Sequence, residues 1–321
     1  MTTTLDASRP ARHDKAIVFA ADGKYEKFAL FAAEQIARLH PERDFDICLC
    51  AMGEQTPLPP SLAHLDIRYC RITTGDLFDG LRLDEGRTQV VYLRLALPLV
   101  LRSDYRRMLY LDSDIFVQGG DFSALLDVDL GPHILGAVRD NMQWRTPSRR
   151  PLQFRRLGLP GVRYFNAGVL LIDVARFNDA DLLGRCTAFG RENREKMIRH
   201  DQNLLNGTLQ GAWAELNPVW NWQYTRSSLF FEAMEGANVV HFIGPKKPWT
   251  HSGGALPRRF RRAYRAFFAA HFPDAPPIGP DGKPPHENRE FLRSAFWRHL
   301  LATGRFCDYL DRFPDELTVH H

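Results

Sequence analysis

The sequence is poor in the features of a disulfide scaffold, a secreted precursor or a membrane span. Its 321 residues include five cysteines, Cys48, Cys50, Cys70, Cys186 and Cys307, an odd number with no CxxC pair. That usage argues against a disulfide framework and points to a reducing compartment. Cys48 and Cys50 alternate within DICLCA and read as buried strand thiols. The opening MTTTLDASRPARHDK lacks the apolar stretch of a signal peptide. The best candidate span, VVYLRLALPLVL, is interrupted by Arg94 and Pro98 and falls short of the roughly 18 apolar residues a span needs. A soluble, cytoplasmic protein is expected. A net charge of +4 is too mild to argue for nucleic acid, and no nucleic-acid partner is expected. No Gly-rich phosphate loop of the GxxxxGKS/T or GxGxxG kind occurs, which counts against a nucleotidyltransferase or phosphotransferase.

What is present is ordinary globular composition, 44% hydrophobic and 25% charged, with 22 Phe. Residues 1–14 read as a disordered lead-in. KAIVFAA (15–21) reads as a strand, followed by the turn Asp22-Gly23-Lys24 and a helix over 25–40 that carries Phe28, Phe31, Ala32, Ile36 and Leu39 at helical spacing. FDICLCA, DIRYC, RMLYLD, HILGAV, YFNAGVLLIDV and NVVHFIG read as further strands. Helices are expected over 87–101, 122–126, 180–199 and 201–209. Strands and helices that alternate in this way imply a mainly parallel sheet covered on both faces, with ligands beyond the carboxyl ends of its strands.

RMLYLDSDIFV places Asp112 and Asp114 on one side of an extended chain, with Ser113 opposite. Two like charges at the end of a buried strand need a cation between them or a solvated loop around them. Three later segments favour the cation. His241 in NVVHFIGPKKPW adds an imidazole, a reasonable set with two carboxylates for Mn²⁺ or Mg²⁺. Gly244, Lys246 and Lys247 after it offer close backbone approach and ammonium groups, as a diphosphate would need. In HDQNLLNG, Asp201 and Gln202 open a helix, where Asp201 fits an N-cap as well as a site role.

Taken together, YLRLALP, MLYLDSDIFV, YFNAGVLLID, HDQNLLNG and HFIGPKKPW, in that order, resemble glycosyltransferase family 8, whose members include retaining galactosyl- and glucosyltransferases of bacterial lipopolysaccharide and glycogenin. The resemblance covers residues 16 to about 251 and implies a GT-A fold, Rossmann-like, with a mixed, mainly parallel sheet and flanking helices. It implies that Asp112, Asp114 and His241 bind Mn²⁺ or Mg²⁺ across the phosphates of a UDP-hexose. Ala20, Ala21, Asp22, Tyr25, Asp112, Ser113, Gly244 and Lys247 would hold the nucleotide, with Tyr25 stacked on the uracil. Arg94, Asp140, Ala167 and Gly168 would surround the hexose, and Gln202, Asp201 and Asn166 would form the catalytic group. FAADGKY departs from the family start, with Gly23 and Lys24 where Asp-Asn is expected. A sugar-nucleotide hydrolase or a non-catalytic nucleotide-sugar-binding protein on the same fold are the rival readings.

The expected partition is a catalytic domain over 15–255 and a basic, aromatic helical extension over 256–321. In PRRFRRAYRAFFAAHF, Phe260, Tyr264, Phe267 and His271 share a helix face opposite Arg258, Arg262 and Arg265. Two readings fit: a helix packed on the domain with a solvated arginine face, or a segment resting on an acidic membrane surface. The second makes a lipid-linked glycan the expected acceptor, met at the inner face of the membrane. The polar, arginine-rich stretch 140–163 is the expected lid or acceptor wall.

Overall fold

The computed structural model describes residues 3–85, 88–198, 200–225, 228, 231–232, 235–250, 256–279 and 288–321. Twelve strands occur among them: β1 (Thr4–Ala7), β2 (Lys15–Ala20), β3 (Asp46–Ala51), β4 (Arg68–Thr73), β5 (Arg107–Leu111), β6 (Ile115–Val117), β7 (Leu135–Arg139), β8 (Phe165–Asp173), β9 (Ala214–Leu216), β10 (Trp222–Gln223), β11 (Val239–His241) and β12 (Val319–His320). The α-helices are α1 (Glu26–Leu39), α2 (Leu93–Val100), α3 (Phe122–Asp127), α4 (Leu152–Leu157), α5 (Val174–Asp179), α6 (Leu182–Glu192), α7 (Asp201–Leu209), α8 (Arg258–His271) and α9 (Arg289–Leu310). One mixed sheet runs β1-β4-β3-β2-β5-β8-β7-β9-β12, and a small second sheet runs β10-β11-β6. Strands β4, β3, β2 and β5 are mutually parallel, and β8 lies antiparallel between β5 and β7.

Strand alternation divides the core into two layers. Ile17 and Phe19 of β2 face α1 and the C-terminal helices, whereas Ala16 and Val18 face α2, α5, α6 and α7. Helix α1 forms because Phe28, Ala29, Ala32, Ala33 and Ile36 make one buried stripe. It stops at His40, just before Pro41.

Four expectations are corrected. The lead-in is ordered in part: β1 pairs antiparallel with edge strand β4, and Arg9 and the Arg12 backbone N–H both bond the buried Asp46 carboxylate. The helix expected over 87–101 is a 3₁₀ turn, Gln89–Tyr92, running into α2, with Arg87 outside the described residues. The helix expected over 180–199 ends at Glu192 and is followed by a 3₁₀ turn at Arg194–Lys196; Arg199 lies outside the described residues. Finally, packing does not break at residue 256. Phe260, Tyr264 and Phe267 of α8 and Phe306 and Tyr309 of α9 belong to the main core, and β12 closes the sheet edge against β9.

Candidate active site

The two aspartates sit where the chain leaves the large sheet and enters the small one, between β5 and β6. The Asp112 backbone N–H donates to the Gly168 carbonyl at 2.8 Å, which ties this junction to β8. Strand β11 pairs with β6 so that His241 lies opposite Ile115, beside Asp114. The ligand atoms of Asp112, Asp114 and His241 all lie within 4.8 Å of one another. His241 Nε2 is 3.1 Å from Asp114 Oδ1 and 3.7 Å from Asp112 Oδ2.

The rest of the imidazole's environment decides what this trio suits. Asn221 donates its amide N–H to Asn166 Oδ1 at 3.0 Å, so its own oxygen faces His241 Nδ1, also at 3.0 Å. Nδ1–H therefore donates to Asn221, and in the neutral ring the Nε2 lone pair points at two carboxylates. That arrangement is repulsive unless a second ring proton or a cation stands between them, and imidazole with two carboxylate oxygens is a donor set for Mn²⁺ or Mg²⁺. The residues present fit the ion.

The backbone makes room for this closeness. Between Ala137 and Val138 the β7–β8 register jumps, so that Ala137 faces Leu170 and Val138 faces Asn166. Residues 167–169 are thereby released from β7, as at other bulges beside sites. Gly168 is required there: a Cβ would lie 2.3 Å from His241 Cε1 and 2.9 Å from Asp112 Oδ2.

Arg94 of α2 braces the cluster. Its guanidinium donates to Asp112 Oδ1 at 2.9 Å and to the Ala167 carbonyl, and pairs with Asp201 Oδ2 at 2.7 Å. It also lies over the Tyr110 ring, whose hydroxyl donates to Asp112 at 2.8 Å. Burial pulls the Arg94 pKa down, but Asp112 and Asp201 outweigh it and the net shift is upward. For Asp201 burial prevails over Arg94 and raises the carboxyl. For Asp114 burial is overcome by His241, in the state where Nε2 carries a proton instead of facing a bound cation, and by Lys247, and the carboxyl is held well below its usual range. Lys247 returns to Asp114 and the Phe242 carbonyl through a turn in which Gly244 has φ +81°.

Gln202 stands in the first turn of α7. Its Nε2 donates to Asp140 Oδ2 at 3.3 Å and to the Tyr164 hydroxyl at 3.2 Å. Because a carboxylate only accepts, this fixes the amide's sense. Oε1 accordingly faces the Asn166 amide and the Ala167 N–H, each at 3.4 Å. A continuous polar chain, Gln202–Asn166–Asn221–His241, therefore joins the glutamine to the carboxylate–imidazole cluster. Asp201 is the first helical residue, after the N-cap His200, and pairs with Arg94.

The expected nucleotide residues lie at two strand ends. Ala20 ends β2, Ala21 follows it, and Asp22 accepts from the Thr88 hydroxyl at 3.1 Å. Tyr25 ends a 3₁₀ turn and is 38% exposed. Ser113 separates the aspartates, partly exposed. Tyr110, Tyr164 and Asn221 escaped the sequence reading. Tyr110 had a signal, two residues before Asp112 on the same strand face, whereas buried Asn221 and Tyr164 had none.

Three comparisons bear on this geometry. A family model described as glycosyl transferase family 8 matches residues 16–253. General stress protein A of Bacillus subtilis is 30% identical over 50% of this chain and 59% of its own length. Lipopolysaccharide 1,2-glucosyltransferase of Escherichia coli is 28% identical over 58% of this chain and 56% of its own. The chain thus spans less than two thirds of these curated relatives. The crystal structure of the galactosyltransferase LgtC, in complex with donor and acceptor sugar analogs, superposes with a TM-score of 0.64 at 26% identity, covering 78% of this chain and 95% of that one. The sheet and its flanking helices are thus the GT-A arrangement.

Proposed function

The chain belongs to glycosyl transferase family 8, and from that premise we propose that it moves a hexose, glucose or galactose, from a UDP-sugar to a hydroxyl of a glycan acceptor, with retention at the anomeric carbon. The observation that carries this reading is the polar chain from Gln202 to His241, which couples a neutral, oriented amide to a cation-binding cluster. Breaking the sugar–phosphate bond puts negative charge on the departing UDP and positive charge on the anomeric carbon. Asp112, Asp114 and His241 would hold Mn²⁺ or Mg²⁺, which when bound supplies Lewis-acid neutralisation of the diphosphate. Lys247 and Gly244 bind that diphosphate from the other side. Asp22, Tyr25, Ala20, Ala21 and Ser113 line the nucleoside end.

Arg94, Asp140, Asp201, Asn166, Ala167 and Gly168 surround the hexose. Asp140, which accepts from Gln202, sets the direction of the amide oxygen. That oxygen can lean towards an oxocarbenium-like carbon without forming the stable ester a carboxylate would form. The names of the lipopolysaccharide glucosyl- and galactosyltransferases among the relatives support a lipid-linked saccharide as acceptor, met at the inner face of a membrane. No helix among the described residues is long and apolar enough to cross one.

Thermal-shift titration with UDP, UDP-glucose and UDP-galactose, each with Mn²⁺ and with EDTA, tests the reading. Metal-dependent stabilisation that disappears in Asp114→Ala is expected, and the more stabilising sugar nucleotide names the donor. Absence of any nucleotide effect in the wild type would sink it.

A further inference from the structure

Glu215 of β9 is a fully buried carboxylate that the site described so far does not include. Its Oε2 accepts from the Arg139 guanidinium at 2.6 Å, and Arg312 donates to Oε1 and Oε2 at 3.4 and 3.3 Å. The Tyr309 hydroxyl donates to Oε1 at 2.9 Å, and Arg163 Nη1 stands 3.9 Å from Oε2. Among the described residues no other carboxylate pairs with any of these three arginines. Arg139 depends on Glu215 most: it is buried, and its Nε has no hydrogen-bond partner among the described residues. Burial pulls the Arg163 guanidinium below its ordinary range, Glu215 opposes that, and Arg139 and Arg312 add to the lowering. The four charges thus act on one another as a unit.

The places of the arginines in the chain give this unit its meaning. Arg139 immediately precedes Asp140, and Arg163 immediately precedes Tyr164. Asp140 and Tyr164 are the two groups that accept from Gln202 Nε2, at 3.3 and 3.2 Å. They are also tied to each other, since the Asp140 backbone N–H donates to the Tyr164 carbonyl at 2.9 Å.

Strand pairing explains why a side chain must do the holding. Strand β7 pairs with β9 only as far as Ala137, which lies opposite Glu215. Beyond it β7 has no ladder partner on that side, and the Arg139 side chain reaches back to Glu215 in its place. Arg163 is anchored beside the same strand, donating to the Gly211 and Trp213 carbonyls, each at 2.9 Å. The remaining two groups on Glu215 come from the C-terminal end of α9 and the turn after it, Tyr309 and Arg312. An ion pair that served only the sheet edge would need one guanidinium, whereas this carboxylate gathers those beside both partners of Gln202.

We propose that Glu215 is a positioning residue for hexosyl transfer: by holding Arg139 and Arg163 it fixes Asp140 and Tyr164, and through them the direction in which Gln202 presents its amide oxygen, with Tyr309 and Arg312 completing the hold. The kinetic consequence rests on the hexosyl transfer proposed above; the placement of the Gln202 amide does not.

The test compares full-length wild type with Glu215→Gln, Tyr309→Phe and Asp46→Asn. Asp46, at the start of β3, is a comparably buried carboxylate held by Arg9, and its variant controls for lost stability. UDP release from UDP-glucose and UDP-galactose with Mn²⁺ gives kcat and KM. Selective isotope labelling of glutamine amides, assigned with Gln202→Ala, follows the Gln202 side chain by NMR. In Glu215→Gln, kcat is expected to fall about ten- to a hundredfold with the donor KM within about a factor of two, and the Gln202 resonances to shift. Tyr309→Phe removes one hydroxyl and keeps every charge, so it carries the test if Glu215→Gln does not fold; it is expected to show a smaller shift and a smaller loss of kcat. Asp46→Asn should lower the unfolding temperature and leave kcat per folded molecule and the Gln202 resonances as in wild type. Unmoved Gln202 resonances in Glu215→Gln, or in Tyr309→Phe where the first does not fold, overturn the proposal. So does a loss of kcat in Asp46→Asn equal to that in Glu215→Gln, the mark of general destabilisation, and so does a parallel rise in donor KM. If wild type releases no UDP from either sugar nucleotide, the transferase reading falls, and the resonance shift alone decides whether Glu215 places the amide.

Discussion

Replacing Gly168 by alanine probes whether the close approach of β8 to the cation cluster is a functional requirement. The new methyl group would stand 2.3 Å from His241 Cε1, 2.6 Å from Nδ1 and 2.9 Å from Asp112 Oδ2. Carbon–carbon contact is comfortable at about 3.5–4.0 Å, so the ring must retreat by roughly 1.2 Å or more. It is held where it is by the Asn221 hydrogen bond at 3.0 Å, and a shift of that size breaks it. Overpacking costs about 1–3 kcal/mol and the lost hydrogen bond about 1 kcal/mol more, so the unfolding temperature falls. The larger effect falls on the ion, because ligand positions must be kept within about 0.2 Å for tight binding. Mn²⁺ affinity should drop by about a hundredfold or more, together with the Mn²⁺-dependent part of UDP binding. Calorimetric titration of Mn²⁺ and of UDP with Mn²⁺, beside thermal unfolding in EDTA, reads both. Unchanged Mn²⁺ affinity in a folded Gly168→Ala protein would refute the assignment of this trio to a metal.

Other perturbations separate the remaining parts. Tyr164→Phe removes the hydroxyl that receives Gln202 Nε2 and donates to Asn203; kcat should fall about tenfold with the donor KM nearly unchanged, and an equal loss in KM would argue against a positioning role. Arg94→Lys leaves an ammonium that cannot reach Asp112, Asp201 and the Ala167 carbonyl together, so UDP-hexose should lose more affinity than UDP in parallel titrations. Lys247→Ala frees Asp114 and should raise Mn²⁺ affinity without nucleotide and lower it with UDP; changes of the same sign in electron-spin titrations would contradict that dual role. The Asp46 carboxyl is pushed up by burial but pulled further down by the Arg12 N–H and Arg9, so its folded pKa lies below the unfolded value of about 3.9. Its stabilisation is present in full above that value and lost as pH falls through the lower folded one; Asp46→Asn should flatten the acid limb of the unfolding temperature against pH.

What could be read from sequence was local in origin. Asp112 and Asp114 were legible because a strand's two-residue period puts them on one side, and α1 because its apolar residues recur at helical spacing. His241 and Lys247 were legible as an imidazole and an ammonium group in one segment after a strand, and the order of motifs tied that segment to the aspartates. Asn221, Tyr164 and Asn203 were not, since a buried amide or phenol has no spacing that distinguishes it from a surface one. Tertiary pairing defeated the reading of both ends of the chain. Residues 4–7 become a strand because β4 offers an open edge, and Val319–His320 because β9 does. The arginines of α8 suggested a solvated or interfacial face, whereas Arg261 is buried against residue 279 and the helix is part of the core.

Charge balance explains why amides, not further acids, surround the carboxylate–imidazole cluster. Three carboxylates, Asp112, Asp114 and Asp201, pair with two fixed cations, Arg94 and Lys247, which leaves one negative charge in excess, and the Asp140 carboxylate accepts from Gln202 nearby. A divalent ion held by the trio, as proposed above, would offset that excess, and burial together with Asp112 raises the Asp201 carboxyl, the direction expected where further negative charge is unwelcome. A glutamate at position 202 would add another carboxylate beside Asp140 and repel it. Glutamine supplies an oxygen at the same point without charge, and its orientation is fixed because Asp140 only accepts and the Ala167 N–H only donates. Asn166 and Asn221 extend the same logic to the imidazole, transmitting direction through donor–acceptor sense without adding charge to the site.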